Sequence, residues 1–247
     1  MELRDTCAIA VMAKAPRPGQ AKTRLCPPLQ PDQAAQLSGA FLRDITENIA
    51  LAAAVAPIHG YVAYAPAGEE GAFEDHLADG TALVLADGSL PMSCGVEGFG
   101  RSLLHAVEAL LARGYGAVCL VNSDSPTLPT SLLIEAATLL LASRGRVVLG
   151  PADDGGYYLI GMKQPHAHLF AGIAWSTDSV AAATRERATA LQLDVVTLPT
   201  WFDVDDMGSL ARLRVESERH PTGLQPYPAP ATMAWISRSG DMGATAQ

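Results

Sequence analysis

The sequence predicts an α/β fold, a three-layer α/β/α sandwich built on a mostly parallel sheet. Three observations carry this. The apolar runs Cys7–Ala13 and Ala117–Val121 have strand length and no polar alternation, as strands buried on both faces do. Amphipathic helical repeats follow at Pro31–Ala54 and Arg101–Arg113. Strand and helix patterns then keep alternating toward residue 218, as crossover connections require.

Taken in order, Cys7–Ala13 is the first strand. In Pro31–Ala54 the residues Leu37, Phe41, Ile45 and Ile49 recur every four positions, with Pro31 suited to a first helical position and Asp32 to the positive end of the helix dipole. Tyr61–Ala65 and Leu83–Leu85 are short strands, and the Gly-, Ser- and Pro-rich stretch Gly88–Gly100 is an irregular loop. Arg101–Arg113 is a helix ended by Gly114. After the strand Ala117–Val121 a helix runs to about Ala142. Arg146–Leu149 and Tyr157–Ile160 are strands, and Thr177–Leu191 is a helix capped by Ser176 or Thr177. Val195–Leu198 is a strand and Asp206–Glu218 a helix. The expected organisation is one domain over residues 1–220 and a proline-rich, draped or disordered tail over residues 221–247. That tail has four prolines by Pro230 and few apolar anchors beyond Trp235 and Ile236.

Composition narrows the function. With 247 residues and 49 % hydrophobic content the chain can bury a large core. A net charge of −9 argues against a broad nucleic-acid surface. No uninterrupted apolar stretch reaches spanning length and no signal-peptide pattern appears, so no membrane association and a cytoplasmic location are expected. Cys7, Cys26, Cys94 and Cys119 are scattered, which favours reduced thiols over disulfides or zinc. No oligomeric state follows from the sequence.

Against this acidic background, residues 1–30 carry a net charge of +3, leaving −12 for the remainder. Lys14, Arg17, Lys22 and Arg24 lie within eleven residues at the exit of the first strand, among Pro16, Pro18 and Gly19. Clustered cations and free backbone amides at that position suit a di- or triphosphate. The segment is not a Walker A loop, because Gly19 to Thr23 lacks the Gly-Lys dipeptide and its spacing.

Two acidic segments could answer these cations. Asp124, just past a buried strand, is placed to hold Mg²⁺ or Mn²⁺ as a hard oxygen ligand, although Asp-Ser-Pro is also turn and capping chemistry. In Asp203-Val204-Asp205-Asp206, carboxylates at alternate positions share one side of an extended chain, while Asp205 or Asp206 could instead cap the next helix. A third segment, Asp153, Asp154, Gly155, Gly156 and Tyr157, is either a ligand-binding loop with room for close backbone approach or a tight turn between strands. Ser123 and Ser125 lack a nucleophile elbow, and His105, His166 and His168 lack zinc spacing. Trp175 lines a pocket or belongs to the core. Ligands of such sheets gather at the carboxyl ends of the strands, so these loops should converge.

The basic loop, Asp124-Ser-Pro-Thr-Leu-Pro129, Gly150 to Gly161, Ala174-Trp-Ser-Thr177 and Asp203-Val-Asp205 occur in an order that resembles a family of small bacterial transferases. These are described as arsenosugar-biosynthesis or radical-SAM/selenodomain-associated glycosyltransferases. They are related to 2-phospholactate guanylyltransferase and molybdenum-cofactor guanylyltransferase. The resemblance covers residues 7–215 and implies the nucleotide-diphospho-sugar transferase (GT-A type) fold. It further implies that Lys14, Lys22 and Arg24 grip phosphate, that Asp124 is a first metal ligand and that Asp205 is a second. The chain departs from the relatives' pattern after Asp205, where it continues Asp206-Met-Gly-Ser209, and at Asn122, where an Asp-x-Asp would place an acid. Gly95-Val-Glu-Gly-Phe-Gly-Arg101 matches only loosely the Gly-Asp-Leu-Gly-Glu-Arg-like stretch of the relatives.

Together these readings point to an Mg²⁺-dependent nucleotidyltransferase acting on a nucleoside triphosphate and a small phosphorylated or hydroxyl acceptor. In it Lys22, Asp124 and Asp205 are the central residues. Lys14, Arg17, Gly19, Lys22, Arg24 and the loop Asp153–Tyr157 bind the substrates. A glycosyltransferase using a nucleotide-diphosphate sugar and a non-catalytic nucleotide-binding protein are the alternatives.

Overall fold

In the computed structural model, residues 2–93, 95–143, 145–216 and 223–244 are described. Strand β1 (Cys7–Lys14) is buried along its whole length except at Lys14, and its side chains divide between two cores. Cys7, Ile9 and Val11 face one layer, while Ala8, Ala10 and Met12 face the other. That is what a continuous apolar run means in a sheet covered on both sides.

The remaining strands are β2 (Ile58–Ala65), β3 (Ala82–Leu85), β4 (Ala117–Val121), β5 (Arg146–Pro151), β6 (Tyr157–Met162) and β7 (Asp194–Thr197). They form one seven-stranded sheet in the order β3-β2-β1-β4-β6-β5-β7. Every neighbouring pair is parallel except those of β6, which runs antiparallel to β4 and β5. The carboxyl ends of β1, β2, β3 and β4 therefore open on one edge of the sheet.

Helix α1 (Pro31–Ala53) lays Leu37, Phe41, Ile45 and Ile49 on the Cys7 face, where α3 (Thr130–Leu141) and α5 (Met207–Glu216) also pack. Gln30 and Gln33 form a reciprocal capping box at its start. Helices α2 (Phe99–Ala112) and α4 (Val180–Ala190) cover the Ala8 face. Helix α2 begins two residues before the expected Arg101, entered from Gly98 at φ +53°. Helix α4 begins three residues after Thr177. The Thr177 hydroxyl donates to the Ala174 carbonyl (2.7 Å) and closes a turn before the helix, so neither Ser176 nor Thr177 is its cap.

The proline-rich stretch is not a draped tail where it is described. Pro230–Ala244 is a sixth helix, α6, lying against α1 with Trp235 buried. Its amino end is held by Asp44 of α1, a fully buried carboxylate that accepts the Ala231 N–H (2.9 Å) and the Thr232 N–H (2.7 Å). Burial is the larger influence on Asp44 and raises its pKa, despite these two donors. The Tyr227 N–H donates to the Thr127 carbonyl (3.1 Å), so the segment before α6 is also tied to the domain.

Cys7 and Cys119 are buried free thiols with their sulfurs 3.8 Å apart, Cys26 is a partly buried free thiol, and Cys94 lies outside the described residues. Among the described residues, no helix is long and apolar enough to cross a membrane.

Candidate active site

The basic loop turns back on itself directly after β1. Gly19, at φ +73°, lets the chain reverse so that the Gln20 and Ala21 N–H groups both donate to the Arg17 carbonyl. Lys22 then sits in the left-handed region at φ 49° and leads into a short 3-10 turn, Thr23–Leu25. A side chain there costs about 1 kcal/mol relative to glycine. What the conformation achieves is to aim Lys22 inward across the Phe41 ring, 5.2 Å from its centroid.

At its end the Lys22 ammonium meets two acids from distant segments. It lies 2.6 Å from Asp124 Oδ1 and 3.2 Å from Asp205 Oδ1, and it donates to the Val204 carbonyl at 2.6 Å. Three partners use all three of its donors. The Lys22 side chain is only 7 % exposed, whereas Asp124 and Asp205 keep 30 % and 37 % of their surface. The acids thus keep accessible surface at a cavity while the ammonium is enclosed. Arg24, on the rim, makes a second ion pair with Asp205 (3.3 Å).

Backbone bonds stitch the two acidic segments together. The Val204 N–H donates to the Asp124 carbonyl (2.8 Å), and the Ser125 hydroxyl to the Phe202 carbonyl (2.9 Å). Asp206 is the residue that caps α5, its carboxylate accepting the Ser209 N–H (2.8 Å). The Ser209 hydroxyl in turn accepts the N–H groups of Asp205 and Asp206, each at 3.0 Å. Asp205 is therefore spared capping and faces the cavity. Ser209 stands where the relatives' pattern departs, and the sequence reading gave it no role. Its only signal was its place three residues after Asp206.

Lys14, Lys22, Arg24, Asp124 and Asp205 all line one cavity of about 450 Å³ at the carboxyl ends of β1–β4. Arg17 does not. Its guanidinium pairs with Glu69 on the outer side of the loop. Nor does the segment Asp153–Tyr157 contribute to the wall. Asp153 pairs with Arg212, and Asp154 accepts the Gly156 N–H (2.8 Å) in a local turn. Gly155, at φ +90°, presses so closely on the Asp178 backbone that a Cβ would lie 2.0 Å from its carbonyl oxygen. The close approach expected of this glycine is made to the start of α4. Tyr157 packs into the Ala8-side core, and burial raises its pKa.

Asp203 is half-buried one turn of extended chain before Asp205. Burial, reinforced by the charges of Asp154, Asp205 and Asp124, pushes its pKa up to about 7. Three carboxylates within electrostatic reach of Asp203 mark a place where positive charge is stabilised. Among the described residues no cluster of three or more His, Cys, Asp or Glu side chains is placed to hold a metal ion. Mg²⁺ needs fewer, since it is commonly bound by one or two carboxylates with phosphates and water. Asp124 and Asp205 fit that donor set, because their oxygens already converge on a single cation, the Lys22 ammonium.

Comparison with known proteins places the chain in a family and a fold. A family model described as an uncharacterized protein conserved in bacteria, DUF2064, matches residues 48–177, more than half of the chain. The chain belongs to the DUF2064 family. No curated protein matches it. Among solved structures, the DUF2064 chain is similar to a Desulfovibrio desulfuricans G20 protein labelled as a nucleotide-diphospho-sugar transferase. The identity is 27 %, the TM-score 0.72, and 94 % of this chain and 97 % of that one are covered. It shares its fold with CMP:2-keto-3-deoxy-manno-octonic acid synthetase complexed with CTP (12 % identity, TM-score 0.51, 85 % and 97 % covered). The same holds for a cytidylyltransferase from Leptospira borgpetersenii (10 %, 0.51, 96 % and 95 %). The DUF2064 chain thus has the α/β fold of the nucleotide-diphospho-sugar transferases.

Proposed function

We propose that this DUF2064 protein is a nucleotidyltransferase dependent on Mg²⁺ or Mn²⁺. In the reaction, a phosphate or hydroxyl oxygen of a small acceptor forms a bond to the α-phosphorus of a nucleoside triphosphate. The bond from that phosphorus to the bridging oxygen breaks, and pyrophosphate leaves. The observation that carries this reading is the enclosed Lys22 ammonium held between Asp124 and Asp205, with Lys14 and Arg24 lining the same cavity.

In this reading Lys22 transfers its donors from the two carboxylates to the phosphate oxygens and offsets the charge that grows on the departing pyrophosphate. Arg24, two-thirds exposed, folds over the outer phosphates, and Lys14 closes the other side. Asp124 and Asp205, freed from the ammonium, would hold the divalent ion, which supplies Lewis-acid polarisation of the phosphates when bound. The backbone stitching between the two acidic segments keeps their spacing fixed, so that most of the acceleration comes from positioning and charge. Likeness to transferases of nucleotides supports the class of reaction.

A glycosyltransferase using a nucleotide sugar is the second reading, favoured by the label of the Desulfovibrio protein. Incubation with each nucleoside triphosphate and with nucleotide sugars separates the two. Pyrophosphate release from a triphosphate supports nucleotidyl transfer; release of a free nucleoside diphosphate from a nucleotide sugar overturns it.

A further inference from the structure

On the β2–β3 side of β1, away from the strand that Asp124 follows, the same cavity is lined by different chemistry. Ala63 and Ala65 of β2 and Ala86 just after β3 form a floor of small side chains, with Phe99 and Ser102 of α2 rising beside it. Phe99 is 49 % exposed, unusual for an aromatic ring lining a cavity in an otherwise well-covered chain.

The ring is braced. Trp175 packs against it in a T-shaped arrangement, centroids 5.7 Å apart and planes at 88°. The indole N–H of Trp175 donates to the Glu97 carbonyl (3.1 Å). The glycines on either side of Phe99 make room for the indole. A Cβ on Gly100 would lie 2.9 Å from Trp175 Cζ2 and 3.0 Å from the Phe170 carbonyl oxygen, and one on Gly98 would lie 3.3 Å from Trp175 Cδ1. Gly98-Phe99-Gly100 is thus shaped to seat Trp175 and to present Phe99 to the cavity.

We infer that Phe99 is the stacking face for the nucleobase of the bound nucleotide, with Trp175 as its positioning residue. The inference rests on the nucleotide reading above. A nucleotide is one covalent unit, so if Lys22 and Arg24 hold its phosphates, the base occupies the far end of the same cavity. That end offers an alanine floor that a planar ring can cover and an exposed aromatic face. Stacking of this kind tolerates every base, because each has a π face. Selection among bases then falls to edge contacts such as the Ser102 hydroxyl.

The test measures equilibrium binding of the four nucleoside triphosphates, of nucleotide sugars and of tripolyphosphate, with Mg²⁺, to the full chain and to Phe99→Ala and Phe99→Tyr. Trp175 serves as an internal reporter, since Trp201 and Trp235, the other two tryptophans, are buried. Loss of one base–aromatic stack should weaken nucleoside triphosphate binding about tenfold or more in Phe99→Ala. Tripolyphosphate affinity should stay within about twofold and Phe99→Tyr should bind as the parent does. Trp175→Phe, which lacks the reporter and is read by titration calorimetry, should give a smaller loss with the same selectivity for base-bearing ligands.

Equal weakening of nucleotide and tripolyphosphate would reduce Phe99 to a structural part and overturn the inference. So would unchanged nucleotide affinity. If the parent binds nucleotide sugars instead of triphosphates and Phe99→Ala still weakens them, the stacking role stands while the transfer reading fails. If the parent binds none of these ligands, both fall.

Discussion

Replacing Lys22 by methionine tests the centre of the site. The substitution keeps the aliphatic stem over Phe41 and removes the charge that joins Asp124 to Asp205. Losing one partner of a buried pair costs about 3–5 kcal/mol, and losing an exposed pair about 0–1. Here the cation is enclosed while each acid keeps about a third of its surface, so the loss should be about 2 kcal/mol. For a domain of this size that lowers the melting temperature by about 4–8 °C.

Lys22→Gly regains about 1 kcal/mol from the left-handed backbone but also loses the aliphatic stem over Phe41, so it should melt no higher than Lys22→Met. Mg²⁺ should raise the melting temperature of Lys22→Met more than that of the parent, since no ammonium then competes for the carboxylates. Nucleotidyl transfer should drop at least 10²-fold in both variants. Thermal melts over an Mg²⁺ titration, with pyrophosphate release as the activity readout, measure all of this. If Lys22→Met melts within about 1 °C of the parent and responds to Mg²⁺ identically, the bridging role is wrong.

Asp124→Asn should abolish turnover, by about 10²-fold or more, with a far-ultraviolet spectrum like the parent's; unaltered turnover would exclude Asp124 from the reaction. Gly155→Ala should destabilise the fold by about 3 kcal/mol or more, read from urea unfolding, because it adds a methyl onto the Asp178 carbonyl at a positive φ. Asp44 titrates above its ordinary value of 3.8 in the folded state, so its contribution to stability is fully present below that value and is lost as pH rises through the raised pKa. Asp44→Asn should remove that part of the pH dependence of unfolding, whereas an unchanged pH profile would assign the slope elsewhere.

The β1 and β4 strands were legible because each is apolar without interruption, and only a central strand covered on both faces has that pattern. Lys22, Arg24, Asp124 and Asp205 were legible as candidates because they follow strands or precede a helix at one end of such a sheet. What no pattern announced is that Lys22 and the acids satisfy one another: contacts between segments so far apart, 183 residues for Lys22 and Asp205, leave no local trace. Arg17 looked equivalent to its neighbours, yet its turn aims it at Glu69. Gly155 reads the same in sequence whether its close neighbour is a ligand or the Asp178 backbone. Phe99 was hidden in a loop-like Gly-rich stretch, because the glycines that make room for Trp175 also look like breakers of structure. Helix α6 was missed because prolines dominate its approach and its amino-end partner, Asp44, lies 187 residues earlier.

That last pairing bears on how the polypeptide is made. Ribosomes emit about 5–20 residues per second, so Asp44 emerges roughly ten to forty seconds before Ala231. Throughout that interval the flank of α1 destined for Trp235 stays wet, and Asp44 stays ionised in water. The nascent amino-terminal half must therefore wait, partly open, for its final strap before the layer can dry.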